Sequence, residues 1–488
     1  MKTHLALPVI YLAAQALCAQ APFTEKKYGW SVEKNMVYGA AVDYTGQTDT
    51  LTLDLYKPLN SDTARPLLIL AHGGSWLSGC KENMAWLCQE MAERGYVAAT
   101  VNYRKGWHKD DYVPTPINPG IFEGGNCLYP ADSMEILRAI YRGMQDLKGA
   151  IRWLKARVYA DSSCNHAVLV GGESAGAFLA LAAGLLDQPG EKPPACGDLP
   201  DAPPPGSNLS NCAAKNCFLQ TLNLPPGALA RPDLGPVEGT LNQNGFNAHV
   251  DGIISFYGGV PESAGIQNWI QGADTPAIYL YHQTCDGVVP FLYSQPYAII
   301  SGYCNLGFTP WHYNTPHIYG NGAIAGYLAA LPHPPLFSTD FLPCDAFNPG
   351  LAVFECPRYF NNGSYHYTHN PPERAANIAA FFSPVITAKL GSPPCLVPVA
   401  SPGWTTGLTL APNPFGLQPV LYCDTPPDGP MHLTWSDAQG RVRGQERRLF
   451  SAGANPLQWD ATLPAGIYYL RLAGKQGAAV WKMVYKPE

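Results

Sequence analysis

The chain has 488 residues, more than one ordinary hydrophobic core accommodates, so a large domain with a smaller companion is expected. Apolar residues make up 46% and charged residues only 14%, which excludes an intrinsically disordered chain. Lys and Arg (31) against Asp and Glu (37) give −6 with no basic block, which excludes nucleic acid as a partner.

At the start of the chain, Lys2 and His4 precede an apolar run, Leu5–Cys18, that ends in small residues at Ala19 and Ala21. That is the pattern of a secretory signal over residues 1–21. The run is shorter than the roughly 20 residues of a spanning helix, and no other stretch is long enough to cross a membrane. Export makes disulfides possible. Of the 14 cysteines, loss of Cys18 leaves an odd number, so at least one thiol stays free. There is no CxxC pair and no HExxH, so no zinc site is expected.

Leu51–Tyr56 alternates with period two and predicts a leading antiparallel hairpin. Leu67–Ala71, Val97–Val101, Ala167–Val170, Ile253–Tyr257 and Ala277–Tyr281 are short apolar runs without alternation, as in strands buried on both faces. Between them, Leu137, Ile140, Tyr141, Met144, Leu147, Ile151 and Leu154 form one helical stripe, and Ala177–Leu186 is a second helix. Strands alternating with helices predict an α/β fold over residues 22–387, a mostly parallel sheet flanked by helices. Two long stretches, 188–248 and 305–350, interrupt it; they read equally as cap-like insertions over a site or as surface decoration braced by disulfides. A last strand is expected at Leu351–Phe360, then a helix around Glu373–Phe382. A Pro/Gly/Ser linker over 388–408 leads to short alternating strands at Met431–Trp435, Leu449–Ser451, Gly466–Leu472 and Ala479–Tyr485. These predict a small all-β sandwich over 409–488.

Three places could carry chemistry. The run Ala167–Val170 leads into Gly172-Glu-Ser174-Ala-Gly176 and then directly into a helix, the context of a nucleophile elbow that lifts a serine hydroxyl above the sheet. His72-Gly73-Gly74 follows an earlier strand; its turn can aim backbone N–H groups at an oxyanion, with Ala175 as a further donor. His72 itself reads as structural. The serine needs a base, and the base an orienting acid. Asp286 leaves the Ala277–Tyr281 strand at its C-terminal end, where sites of open α/β sheets lie. The base is expected after the last strand, where only His366 and His369 qualify. His366, on a flexible lead-in from Gly363, is the choice, and His369, abutting Asn370-Pro-Pro, is the alternative.

The segments LDLYKP, RPLLILAHGGSW, GYVAATVNYR, DLKGAIRWLKA, VLVGGESAGA and HQTCDGVVP, in that order, resemble the carboxylesterase/lipase branch of the α/β-hydrolase superfamily over about residues 49–386. The resemblance implies ester hydrolysis through an acyl-enzyme, without metal or cofactor. Ser174, Asp286 and His366 match its triad, and Gly73, Gly74 and Ala175 its oxyanion hole. Two departures stand out: Ser75 replaces a third glycine, and Gln283 follows His282 where relatives often carry glycine. Residues 409–488 resemble the sorting domain of the type IX secretion system through Pro412-Asn-Pro-Phe415, Asp437-Ala-Gln-Gly-Arg441, Leu463–Leu472 and Lys482-Met-Val-Tyr. That implies the secretion machinery as a partner and a secreted or outer-membrane location. The expected function is a secreted serine ester hydrolase acting on a small or polymer-linked ester. The alternatives are a serine peptidase of prolyl-oligopeptidase type and a non-catalytic surface adhesin.

Overall fold

A computed structural model describes residues 21–62, 64–109, 130–203, 210–215, 218–223, 229–243, 245–270, 275–298, 303–304, 314–391, 408–411, 416, 418–423, 426–427, 429–437, 442–474 and 477–486. Residues 1–20 of the signal segment, most of the linker, Pro412–Phe415, His312 and Cys217 lie outside these residues.

Eight strands form the central sheet: β1 (Trp30–Val42), β2 (Thr48–Pro58), β3 (Arg65–Ala71), β4 (Val97–Val101), β5 (Ser163–Glu173), β6 (Gly252–Phe256), β7 (Ala277–Gln283) and β8 (Phe337–Leu342). Their spatial order is β1-β2-β4-β3-β5-β6-β7-β8. The β1–β2 and β2–β4 pairs are antiparallel, and every pair from β4–β3 onward is parallel. A mostly parallel sheet in this order is an α/β-hydrolase-like fold.

The strands lie between two helical layers. α2 (Met134–Lys155) and α3 (Ala175–Leu185) pack on one face with Leu67, Ile69, Val168, Val170 and Ile253. α1 (Ala85–Ala92) and α6 (Pro371–Gly391) cover the other, over Leu68, Leu70, Leu169, Ile254 and Tyr279. Because side chains alternate along a strand, neighbouring apolar residues feed opposite layers, which is why these runs show no polar alternation.

Two expectations fail here. Leu351–Phe360 is not a strand; Ala352–Asn361 is helix α5, with only Tyr359 buried and Val353 and Phe354 exposed. The last strand is β8, inside the stretch taken as the second insertion, which also supplies α4 (Asn321–Ala330). Residues 305–350 are therefore partly framework. Asn321 is fully buried, accepting from Ser255 Oγ (2.8 Å) and donating to the Ser255 and Tyr281 carbonyls at 3.0 and 2.9 Å.

Parts of the 188–248 stretch, around residues 195–197 and 232–241, lie along α2. Arg138 donates to the carbonyls of Ala195 and Gly197, Gln145 to those of Leu234 and Pro236, and Arg152 to those of Glu238 and Leu241. The disulfides described are not in this stretch, and Cys196 is a buried free thiol.

Towards the C-terminus, Leu408–Ala411, Val420–Cys423 and Gly453–Pro456 form one antiparallel sheet; Val442–Arg448, Met431–Asp437, Gly466–Gly474 and Gly477–Tyr485 form another. Both contribute to one apolar cluster that includes Leu421, Leu433, Leu470 and Met483. The strand expected at Leu449–Ser451 is instead the preceding Val442–Arg448, whose arginines hid it.

Candidate active site

Ser174 stands between β5 and α3 with φ 50° and ψ −125°, a conformation a non-glycine residue adopts only under constraint. The constraint comes from its flanks. A Cβ on Gly176 would lie 2.1 Å from the Ala71 carbonyl oxygen, and one on Gly172 2.4 Å from the Gly176 carbonyl carbon. Only glycine lets the strand turn into the helix this sharply, and the turn places Ser174 at the wall of a cavity of about 380 Å³.

His366 follows a tight turn at Gly363–Tyr365, C-terminal to α5. Its Nε2 is 2.8 Å from Ser174 Oγ, and its Nδ1 is 2.7 Å from Asp286 Oδ2. With a carboxylate on Nδ1, that nitrogen carries the proton, and Nε2 is free to accept from the serine hydroxyl. The loop order in the chain thus brings the three residues named from sequence together.

Asp286 is buried. Its Oδ1 accepts from the Val288 and Val289 amides at 2.8 and 3.0 Å, and His282 Nε2 lies 3.3 Å from Oδ2. Burial pushes its carboxyl pKa up, but His366 and the His282 contact outweigh that and hold it below the ordinary value. The neighbouring Cys285 is bonded to Cys344 just past β8, and Gly287 N donates to Ser364 O at 2.9 Å. Acid loop and histidine loop are therefore tied together. His369 serves elsewhere: its amide donates to Tyr281 Oη at 2.9 Å, at the entry to α6.

Gly73 and Gly74 line the cavity, and Ala175 opens α3, where the helix leaves its first amides unpaired. Gly74 has φ 114°, and a Cβ there would lie 2.4 Å from Ser78 O. The turn is clamped from behind. His72 is fully buried, stacks on Tyr103 at 4.5 Å, and donates from Nδ1 to Gly73 O at 2.7 Å. Burial lowers its pKa to about 3, so it stays neutral, as a structural residue should. Tyr103 Oη donates to His72 O at 2.9 Å, and Gly106 N to Trp76 O at 2.7 Å.

Sequence reasoning missed four residues at the site. Glu173, beside the nucleophile, accepts from Tyr257 Oη at 2.9 Å. Burial raises the Glu173 pKa against that bond. Tyr297 Oη lies 3.0 Å from Ser75 Oγ, at the position where the third glycine of the pattern is absent. Val288 and Tyr297 join this cavity to a neighbouring one of about 210 Å³ along Pro290–Gln295. No described residue of 188–248 lines either cavity. Among the described residues no group of three or more His, Cys, Asp or Glu is placed to hold a metal, and no helix is long and apolar enough to cross a membrane.

The sequence family described as BD-FAE matches residues 53–118, the stretch from β2 through the glycine turn and past β4. Isoprenylcysteine alpha-carbonyl methylesterase ICME of Arabidopsis thaliana is 28% identical over 100 residues, 20% of this chain and 22% of that protein. Neuroligin-like protein glit-1 of Caenorhabditis elegans is 26% identical over 179 residues, 35% of this chain and 20% of that protein. The chain thus spans about a fifth of the length of these curated relatives. Among solved structures, Thermogutta terrifontis esterase 2 phosphoramylated by tabun aligns at 15% identity and TM-score 0.37, covering 73% of this chain and 95% of that one. Inhibited esterase B from Lactobacillus rhamnosis aligns at 14% identity and TM-score 0.37, covering 74% and 88%. The chain is similar, over its α/β-hydrolase-like part, to esterases.

Proposed function

We propose that the protein is a serine hydrolase of carboxylic esters. The observation that carries this is the His366 imidazole, within hydrogen-bond reach of Ser174 Oγ on one side and Asp286 on the other. In this reading Ser174 Oγ attacks the ester carbonyl carbon while its proton passes to His366 Nε2. The carbonyl oxygen becomes an oxyanion facing the Gly73, Gly74 and Ala175 amides, where preformed donors are worth about 3–4 kcal/mol each. His366 then protonates the departing alkoxide, leaving acyl-Ser174. Water attacks that acyl group by the same route in reverse and restores the serine. Asp286, held below its ordinary pKa, stays ionised and stabilises the imidazolium.

The proposal extends to the flanking regions. Residues 1–21 direct export, and 409–488 address the chain to type IX secretion; the motifs Leu463–Leu472 and Lys482-Met-Val-Tyr support this.

The test is fluorophosphonate labelling beside hydrolysis of an activated acetate ester. Wild type should label at one site and turn over. Ser174→Ala should lose labelling and roughly 10⁴-fold or more in kcat. Undiminished turnover or labelling in a folded Ser174→Ala protein overturns the reading.

A further inference from the structure

The segment that supports the glycine turn also forms a wall of a second cavity. Tyr103 and Gly106 hold His72 and Trp76, while Arg104 and His108, from the same segment, face a space of about 290 Å³. Four arginines line it: Arg104, Arg138, Arg142 and Arg231.

Their partners differ. Arg104 Nη2 meets Asp146 Oδ1 at 2.7 Å, and Arg231 Nη1 meets Asp132 at 2.6 Å and Glu135 at 3.5 Å. Arg138 spends its guanidinium on backbone carbonyls: Ala195 and Gly197 at 3.0 and 2.9 Å, and Pro232 at 2.5 Å. Arg142 is 3% exposed. Its Nη2 donates to Gly106 O at 2.8 Å, its guanidinium carbon sits 5.8 Å from the Tyr44 ring centre, and its Nε is buried with no acceptor among the described residues. Neither Arg138 nor Arg142 has a carboxylate within hydrogen-bond reach among the described residues; Glu135 acts on both only through its field.

The two carboxylates lining the cavity are already engaged. Asp43 Oδ1 accepts from the Thr45 and Gln47 amides, and Asp233 pairs with Lys192 at 2.6 Å. Arginines therefore outnumber carboxylates on the wall. Burial first, then Arg142, Arg231 and Arg138, lower the His108 pKa to about 4.

A buried guanidinium with an unmet N–H is costly, and an oxygen acceptor would relieve it. A planar fork suits the two oxygens of a phosphate, sulfate or carboxylate better than any neutral group. We propose that this arginine-lined cavity is a binding site for a small oxyanion, with Arg142 as its principal donor. The site is separate from Ser174, so it stands or falls independently of the ester chemistry.

Isothermal titration of the full chain with sodium phosphate, sulfate and acetate, at an ionic strength fixed by chloride, tests it. Wild type should show one saturable site for at least one of the three; tighter acetate than phosphate would identify a carboxylate end, the reverse a tetrahedral dianion. Arg142→Lys, which keeps the charge and loses the fork, should weaken binding about tenfold, and Arg142→Gln about a hundredfold. Absence of saturable binding in wild type, or unchanged affinity in both folded variants, overturns the proposal. If neither variant folds, selenate soaked into wild-type crystals decides: an anomalous peak beside Arg142 supports the site, and no peak there overturns it.

Discussion

Tyr257 donates its hydroxyl to Glu173 at 2.9 Å while its ring packs edge-on against the His366 imidazole, 4.5 Å between centres. The same hydroxyl lies 3.2 Å from Thr368 Oγ1, two residues beyond the histidine. Glu173, next to the nucleophile, is thereby linked through one phenol to the loop that carries the base. Tyr257 holds this position at φ 40°, backbone strain that a merely space-filling residue would not need.

Tyr257→Phe keeps the ring against His366 and removes the hydroxyl, leaving the buried Glu173 carboxylate short of a donor. We expect a stability loss of about 1–3 kcal/mol. We also expect a kcat loss of about three- to tenfold with KM little changed, because the loop and not the substrate is affected. Chemical denaturation and steady-state kinetics on one activated ester check both. Unaltered kcat would leave the phenol a structural role only.

His366→Ala should lose most activity, of order 10³-fold or more, whereas His369→Ala should stay within about threefold. The His369 contact described is a backbone N–H on Tyr281, which the alanine retains. A reversed pattern in folded variants reassigns the base.

Cys285→Ser with Cys344→Ser opens a link between residues 59 apart in sequence. The expected loss is about 2–4 kcal/mol in stability. Because Asp286 is the next residue, kcat should fall as well, and the thermal midpoint of wild type under strong reductant should drop toward that of the double variant. A double variant as stable and active as wild type would show that hydrogen bonds alone hold the acid loop.

Acid should destabilise the fold well above the carboxylate range. His72 and His108 are held neutral by burial, with pKa values lowered to about 3 and about 4. An unfolded histidine titrates near 6.5, so between that value and the folded ones the unfolded chain binds the extra protons. Their stabilisation is complete above about pH 6.5 and declines as pH falls; at pH 5 the loss is about 2 kcal/mol for each. Thermal midpoints from pH 7 to 5 should decline in wild type and less steeply in His108→Gln. A flat profile contradicts the buried neutral state.

The strands that bury both faces were legible because nearly every position is apolar, and the site was legible because Ser174 and Asp286 follow strand ends and His366 comes after them in order, although beyond a helix and not the strand expected there. What failed did so for identifiable reasons. β8 reads Phe337-Ser-Thr-Asp-Phe-Leu342, and its Asp340 is held by Arg374 and Asn377 from α6 and by Tyr279, partners distant in sequence. No local pattern announces such a strand. α5 misled in the opposite direction, its exposed Val353 and Phe354 mimicking a buried run. On α2 the stripe was right but its polar face was not solvated: Arg138, Gln145 and Arg152 are buried beneath the 188–248 stretch, bonded to main-chain carbonyls. A carbonyl belongs to every residue, so the sequence carries no mark of it. Glu173 and Tyr257 adjoin recognised elements, but their pairing needs the neighbouring strand ends β5 and β6.

The wide spacing of the reacting groups also bears on how the chain is made. His366 meets a serine 192 positions earlier and an acid 80 positions earlier, each at the end of a different strand of one sheet. Such distant pairings close late, after much of the sheet is in place. A nascent chain synthesised only through β7 already contains the serine and the turn for the oxyanion, but no base. In the proposed mechanism such a chain has no base for Ser174 until synthesis has passed His366.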